Sequence, residues 1–328
     1  MERAPHYKPD WRSDFMSAVI PRIAATAASL SLLISAVPAL AHGIVGDRFF
    51  PATLAVDDPF VADELSLPTF AIFKNGDNAR EVDLSFEYSK RFTEYLGVSF
   101  GETWTHLRPG GSGWQNLETT FRYQAITDPK HEFIFSAGLS VEWGGTGATR
   151  IGAENFNVFT PTIWFGKGLG DLPDTLSWVR PFAVTGQVGY AIPGSSRTVT
   201  FTGIDQDSGL ATFDIEHNPR NVVWGVTLQY SLPYLKANVV DLDLPDFVNH
   251  LIPLVEATFV TPASNNFAHL PTTGTINPGV IWVGQKVQFG LEALIPVNRQ
   301  SGRHVGVLGQ VHFYLDDIFP TTLGRPIF

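Results

Sequence analysis

Between Val82 and Leu315 the chain repeatedly alternates apolar and polar positions with a period of two. In 82–88, Val82, Leu84, Phe86 and Tyr88 alternate with Asp83, Ser85 and Glu87. In 117–125, Leu117, Thr119, Phe121 and Tyr123 alternate with Glu118, Thr120, Arg122 and Gln124. In 132–143, Phe133, Phe135, Ala137, Leu139, Val141 and Trp143 oppose Glu132, Ser136, Ser140 and Glu142. The same pattern returns in 178–192, 222–232, 287–295 and 305–315. Period two means a strand with one apolar and one polar face. Less regular strands are read at 68–74, 95–105, 156–167, 251–261 and 276–284, which brings the expected number to twelve.

Two features favour strands that cross a bilayer over strands of a soluble sandwich. A tilted transmembrane strand needs ~9–11 residues, whereas soluble strands average about five or six. Most of the runs here are of the longer kind. Trp178 and Tyr190 bracket one apolar face, and twelve residues at ~3.3 Å each and tilted ~40° rise roughly 30 Å, the separation of two aromatic girdles. No amphipathic helical segment is present to cover such a sheet. The expected fold is therefore all-β: an antiparallel up-and-down transmembrane barrel of about twelve strands, with ten or fourteen as neighbouring counts.

The connections support this. With strand 68–74 starting in the periplasm, the outer connections 75–80, 106–113, 144–155, 193–219, 262–275 and 296–303 are mostly long and rich in Gly, Ser, Thr and Asn. Lys90–Glu94, Asp128–Lys130 and Gly284–Gln285 on the other side are tight, the asymmetry of outer-membrane barrels. Two inner connections, 168–177 and 233–250, are long, and the second holds a candidate short helix at 241–249.

Ahead of the strands, Arg22 precedes an apolar run from Ile23 to Val37 that ends in Pro38-Ala39-Leu40-Ala41, a signal-peptidase pattern. Cleavage after Ala41 leaves His42 as the mature N-terminus, and a start at Met16 gives a leader of ordinary length. The run is short of the ~20 residues a membrane helix needs. The domain reading is thus 1–41 signal peptide, 42–67 a periplasmic or plug-like segment, 68–319 barrel and 320–328 a tail. Export plus a strand-built span places the chain in the outer membrane of a Gram-negative bacterium, with the lipid bilayer as its first partner.

Composition agrees. Hydrophobic residues are 44% and charged residues 16%, with 25 Phe and 8 Trp, and the mean hydropathy is +0.05. A formal charge of −10 argues against nucleic acid as a partner. There are no cysteines, hence no disulfides or thiolate sites.

The polar faces carry Asp83, Glu87, Glu118, Arg122, Glu132, Glu142, Glu256, Lys286 and Glu292 as candidate lumen-lining residues. An acidic wall raises the local cation concentration, and Arg122 and Lys286 would be salt-bridge or solute-orienting groups. The bland alternative is that these charges satisfy one another and water. His42 offers an α-amine and an imidazole, a Cu(II)-chelating pair, with His217, His250, His269, His304 and His312 as second ligands that spacing does not choose among. Ser264 with His269 and Ser301 with His304 are local pairs of a kind common by chance. No G-x-S-x-G, H-E-x-x-H or P-loop occurs, so neither an enzyme nor a cofactor is expected. Arg180, near a strand end, is read as snorkelling toward headgroups.

The closing segment Gly309-Gln310-Val311-His312-Phe313-Tyr314-Leu315 resembles the last strand of bacterial outer-membrane barrels, which the barrel-assembly machinery reads. The chain ends in Phe328, as such proteins often do, although Asp316-Asp317 and Pro320 separate it from that strand. The mature chain is similar in pattern to the phenol-degradation MetA-like family of outer-membrane proteins. That resemblance implies a channel for passive passage of a small apolar or aromatic solute. The alternative is a closed structural or binding barrel whose N-terminal segment or outer loops engage a metal or a partner.

Overall fold

The computed structural model describes residues 43–204 and 210–328. The expected leader and His42 lie outside the described residues, as do 205–209. Twelve long strands run in chain order: β1 (Glu64–Lys74), β2 (Arg80–Arg91), β3 (Leu96–Arg108), β4 (Glu118–Asp128), β5 (Phe133–Glu142), β6 (Val158–Gly168), β7 (Phe182–Pro193), β8 (Arg220–Tyr230), β9 (Leu251–Ser264), β10 (Thr273–Val283), β11 (Val287–Pro296) and β12 (Gly306–Tyr314). Each pairs antiparallel with its chain neighbours. β12 pairs back onto β1 from Val307↔Ile72 to Tyr314↔Glu64, which closes the barrel. Closure leaves no unpaired strand edge, which a bilayer interior requires. No helix among the described residues is long and apolar enough to cross a membrane.

The alternating residues sort as the pattern requires. Leu84, Phe100, Phe121, Leu139, Ile163, Val188, Val226, Val255, Ile276 and Leu291 point outward and are exposed, Leu291 to 53% and Phe121 to 46%. Among the described residues neither a second sheet nor a helix covers them. A soluble monomer rarely leaves more than a few hundred Å² of contiguous apolar surface in water, so this belt is a surface for lipid.

Where the structure departs from the pattern, the cause is local. β7 begins at Phe182 rather than 178, because Asp174–Val179 forms a 3-10 turn. Trp178 belongs to that turn, so Trp178 and Tyr190 do not bracket one strand face. The aromatic pair at that end of β7 is Phe182 edge-on to Tyr230, 4.7 Å apart. Arg180 does not snorkel: it pairs with Asp174 at 2.8 Å and donates to the Leu172 carbonyl. β1 starts at Glu64, four residues early, and a register shift between Ser66 and Thr69 interrupts its period.

The connection after β8 forms α1 (Leu232–Asn238), capped by the Ser231 hydroxyl accepting from Tyr234 N, and then the single turn α2 (Asp246–Asn249). After β12 comes the turn α3 (Leu315–Ile318). The tail then folds back so that Ile327 N and Phe328 N donate to the carbonyls of Arg91 and Phe92. In the connection after β7, Arg197–Ile204 pairs with Ala211–His217 as a separate hairpin.

Candidate functional site in the barrel lumen

The side chains that point inward meet the N-terminal segment first. Residues 43–63 precede β1 and contact the inner wall. At the end where the barrel chain enters and leaves, Ile44–Val45 and Arg48–Phe49 make a small hairpin. Arg48 is fully buried. It pairs with Glu132 at 3.2 Å, donates to the carbonyls of Pro181 and Arg180, and lies 3.7 Å over the Tyr234 ring. Burial lowers the Arg48 pKa against the opposing pull of Glu132. Burial, reinforced by Glu132, pushes the Tyr234 phenol up to about 12. Glu132 is therefore not on a strand face. It is the left-handed residue that ends the turn before β5, and its carboxylate is a structural partner of Arg48.

Farther along, wall side chains satisfy the backbone of the segment. The Glu256 carboxylate accepts the amides of Leu54 (3.1 Å), Ala55 (2.7 Å) and Val56 (3.2 Å), and the Thr227 hydroxyl at 2.9 Å. Gln288 donates to Ala52 O and Ser136 to Pro59 O. Arg122 donates to the carbonyls of Asp58 and Phe60 and stacks 4.3 Å over the Trp164 ring. Gln124 accepts from Val61 N. Buried backbone groups are costly unless paired, and here polar residues of β4, β5, β9 and β11 supply the partners, with Thr227 of β8 supporting Glu256.

Apolar contacts complete the docking. Ile252, Leu254 and Ile281 turn inward and pack on Phe49 and Leu54, while Ile134 and Ala183 pack with Val45, Phe50 and Phe60. Gly225 leaves room for Val56, whose Cγ2 would lie 2.9 Å from a Cβ at that position. At the base, Asp63 is fully buried between Lys90 (2.7 Å) and Arg91 (2.8 Å), both of which also reach carbonyls of the 323–325 tail.

The opposite side of the lumen is open. A cavity of about 510 Å³ lies between the segment and the walls of β1–β5 and β12. Its lining runs from Glu64, the first residue of β1, to Glu142, the last of β5. The acidic residues on its lining are Asp57, Asp58, Glu64, Glu87, Glu102, Glu118 and Glu142, against Arg122 and His312. Arg122 is engaged by Asp57 at 3.3 Å and Asp58 at 3.9 Å. His312 Nδ1 hydrogen-bonds Ser66 Oγ at 2.8 Å, and its Nε2 lies 3.5 Å from Glu64. Glu142 accepts from Asn116, while Glu87 and Glu118 have hydroxyl neighbours in Ser89 and Thr120.

Of the residues expected to line a passage, the cavity thus brings together Glu87, Glu118, Arg122 and Glu142. Asp83 accepts from Thr105 at 2.6 Å on the inner face of β2. Glu256 and Glu292 are buried on the segment side, 0% and 2% exposed. Lys286 does not reach the lumen; it is an exposed residue of the β10–β11 turn, because β11 starts one residue later. Asp57, Asp58 and Gln310 were not picked out from the sequence, and His312 was picked out only as a candidate copper ligand. Gln310 and His312 stand at inward positions of β12, but only Asp, Glu, Lys and Arg on the polar faces were expected to line the lumen.

Neither Ser–His pair forms a relay. Ser264 faces the Tyr190 hydroxyl, and Ser301 bonds Asn298 and the Gly274 amide. Among the described residues no group of three His, Cys, Asp or Glu is placed to hold a metal ion.

No family model matches the chain, and no curated protein matches it. Solved structures do show likeness. The COG4313 outer membrane channel from Pseudomonas putida F1 is 11% identical over 81% of this chain and 99% of that one, with a TM-score of 0.46. The KdgM porin is 10% identical over 76% and 98%, with a TM-score of 0.45. The translocator domain of the autotransporter NalP from Neisseria meningitidis is 11% identical over 76% and 86%, with a TM-score of 0.40. Porins and translocators stand side by side in this set, so no cargo is transferred from it. Strand closure and the exposed apolar belt make the chain an outer-membrane β-barrel.

Proposed function

We propose that the protein is a channel for passive passage of a small solute across the outer membrane of a Gram-negative bacterium. The observation that carries this reading is the cavity beside β1–β5 and β12, whose lining extends from the first residue of one strand to the last of another. The short-turn end, where β1 starts and β12 ends, then faces the periplasm, and the end where Arg197–Ile204 pairs with Ala211–His217 faces outward. The family resemblance implies an apolar or aromatic solute, but the cavity wall is polar and acidic. A polar solute is the better match. Selectivity rests with Glu87, Glu118 and Glu142, and with Arg122, which stands between the segment and the cavity.

A second reading has its own support. Residues 50–61 occupy one side of the lumen and hydrogen-bond to four strands, as expected of a closed barrel that binds rather than conducts. Planar-bilayer recording separates the two. Discrete current steps from the purified barrel are the expected result, and a silent barrel that nonetheless inserts overturns the channel reading.

A further inference from the structure

Resting on the channel reading and deepening it, we propose that the lumen cavity is a binding site for small organic cations that carry N–H groups, diamines and polyamines being the chemical class. Glu87, Glu118 and Glu142 line it, and among the described residues no Lys, Arg or His lies within ion-pair reach of them. The one guanidinium on the lining, Arg122, is taken by Asp57, Asp58 and two segment carbonyls. Carboxylates gathered in a partly dehydrated lumen, without matched cations, draw positive charge from solution.

A second feature, on a different strand, points to a donor-bearing ligand. Gln310 of β12 lines the same cavity and is 8% exposed. Its Nε2 donates to Thr69 Oγ1 at 3.1 Å, which leaves Oε1 as an acceptor with no donor among the described residues. An acceptor of this kind is filled by an N–H or O–H donor and not by an anion or an apolar group, and the carboxylates around it favour the cationic N–H. Three features therefore converge on one ligand chemistry: excess negative charge, an orphan acceptor, and a volume of about 510 Å³. A bare metal ion fits less well, since no three ligating side chains converge among the described residues.

The test uses the folded full-length barrel in detergent, titrated by calorimetry with spermidine, with tetramethylammonium, which has no N–H, and with Ca²⁺. Saturable spermidine binding is expected, weakened about tenfold or more in the double variant Glu87→Gln/Glu118→Gln and a few-fold in Gln310→Met, with tetramethylammonium far weaker. Heat-modifiable gel migration verifies that each variant is a folded barrel. Absence of saturable binding to the folded protein, equal binding by the double variant, or tighter binding of Ca²⁺ than of spermidine overturns the proposal. Bilayer recording is run in parallel. A barrel that binds spermidine but carries no current loses the channel reading alone, and one that conducts but does not bind loses the cation site alone.

Discussion

The two sides of the lumen are built from strands of the same length and alternation, yet they end in opposite states. Against β8–β11 the inward residues meet the N-terminal segment: Ile252, Leu254 and Ile281 are dry beneath Phe49 and Leu54, and Glu256 is spent on three backbone amides. Against β1–β5 the inward Glu87 and Glu118 face a cavity. A carboxylate on an inner wall is thus not a pore residue by virtue of its strand position. What stands opposite decides whether it anchors a backbone or is left for a solute.

The largest effect is expected where the dry side is cut loose. Glu256→Ala leaves the amides of Leu54, Ala55 and Val56 and the Thr227 hydroxyl without an acceptor. At ~1–3 kcal/mol for each stranded group, short of full additivity, docking of the segment weakens by about 4 kcal/mol. Protease cleavage within 50–61 and a rise in single-channel conductance are the readouts, and an unchanged cleavage pattern contradicts the anchoring role.

Next comes the lipid face, which both sides share. Leu139→Arg puts a charge on the outward belt of β5, at a cost of about 2–4 kcal/mol near the bilayer midplane. Urea unfolding from liposomes measures it, and no loss of stability there contradicts exposure to lipid. Crowding the dry side is milder. Gly225→Val presses on Val56 and costs about 1–3 kcal/mol, seen as faster cleavage of the segment while the barrel remains folded.

Arg122 touches both sides, so Arg122→Gln sharpens the comparison. It frees two segment carbonyls and removes the cavity's guanidinium, and the ratio of cation to anion permeability is expected to rise severalfold in a salt gradient. A shift toward anions contradicts the charge assignment. The smallest effect belongs to the tail. The Phe328 side chain is 90% exposed, so Phe328→Ala is expected to change folded-state stability by less than about 0.5 kcal/mol.

Legibility followed the same division. Regular strands such as 82–88 and 117–125 were plain because lipid on one face and polar lumen on the other enforce a strict period. Strands 251–261 and 276–284 read as irregular because Ile252, Leu254 and Ile281 are apolar on the inner face too, where the segment covers them. Strand 156–167 blurred for a related reason: Trp164 turns inward, where its indole donates to Gln187 and lies under Arg122. In the candidate site, Glu87, Glu118, Arg122 and Glu142 were visible as charges in the pattern. Asp57 and Asp58 were not, since the segment that carries them has no period.

By itself the sequence determined the barrel, a strand count near twelve and, for the regular strands, which face meets lipid, because side-chain alternation is a local property of extended backbone that a bilayer makes obligatory. Only the tertiary structure decided where the aperiodic residues 43–63 go, and with them which inward carboxylates are consumed and which stay open. That outcome depends on contacts between residues more than two hundred positions apart, 202 for Leu54 with Glu256 and 236 for Ala52 with Gln288, and no local pattern encodes them.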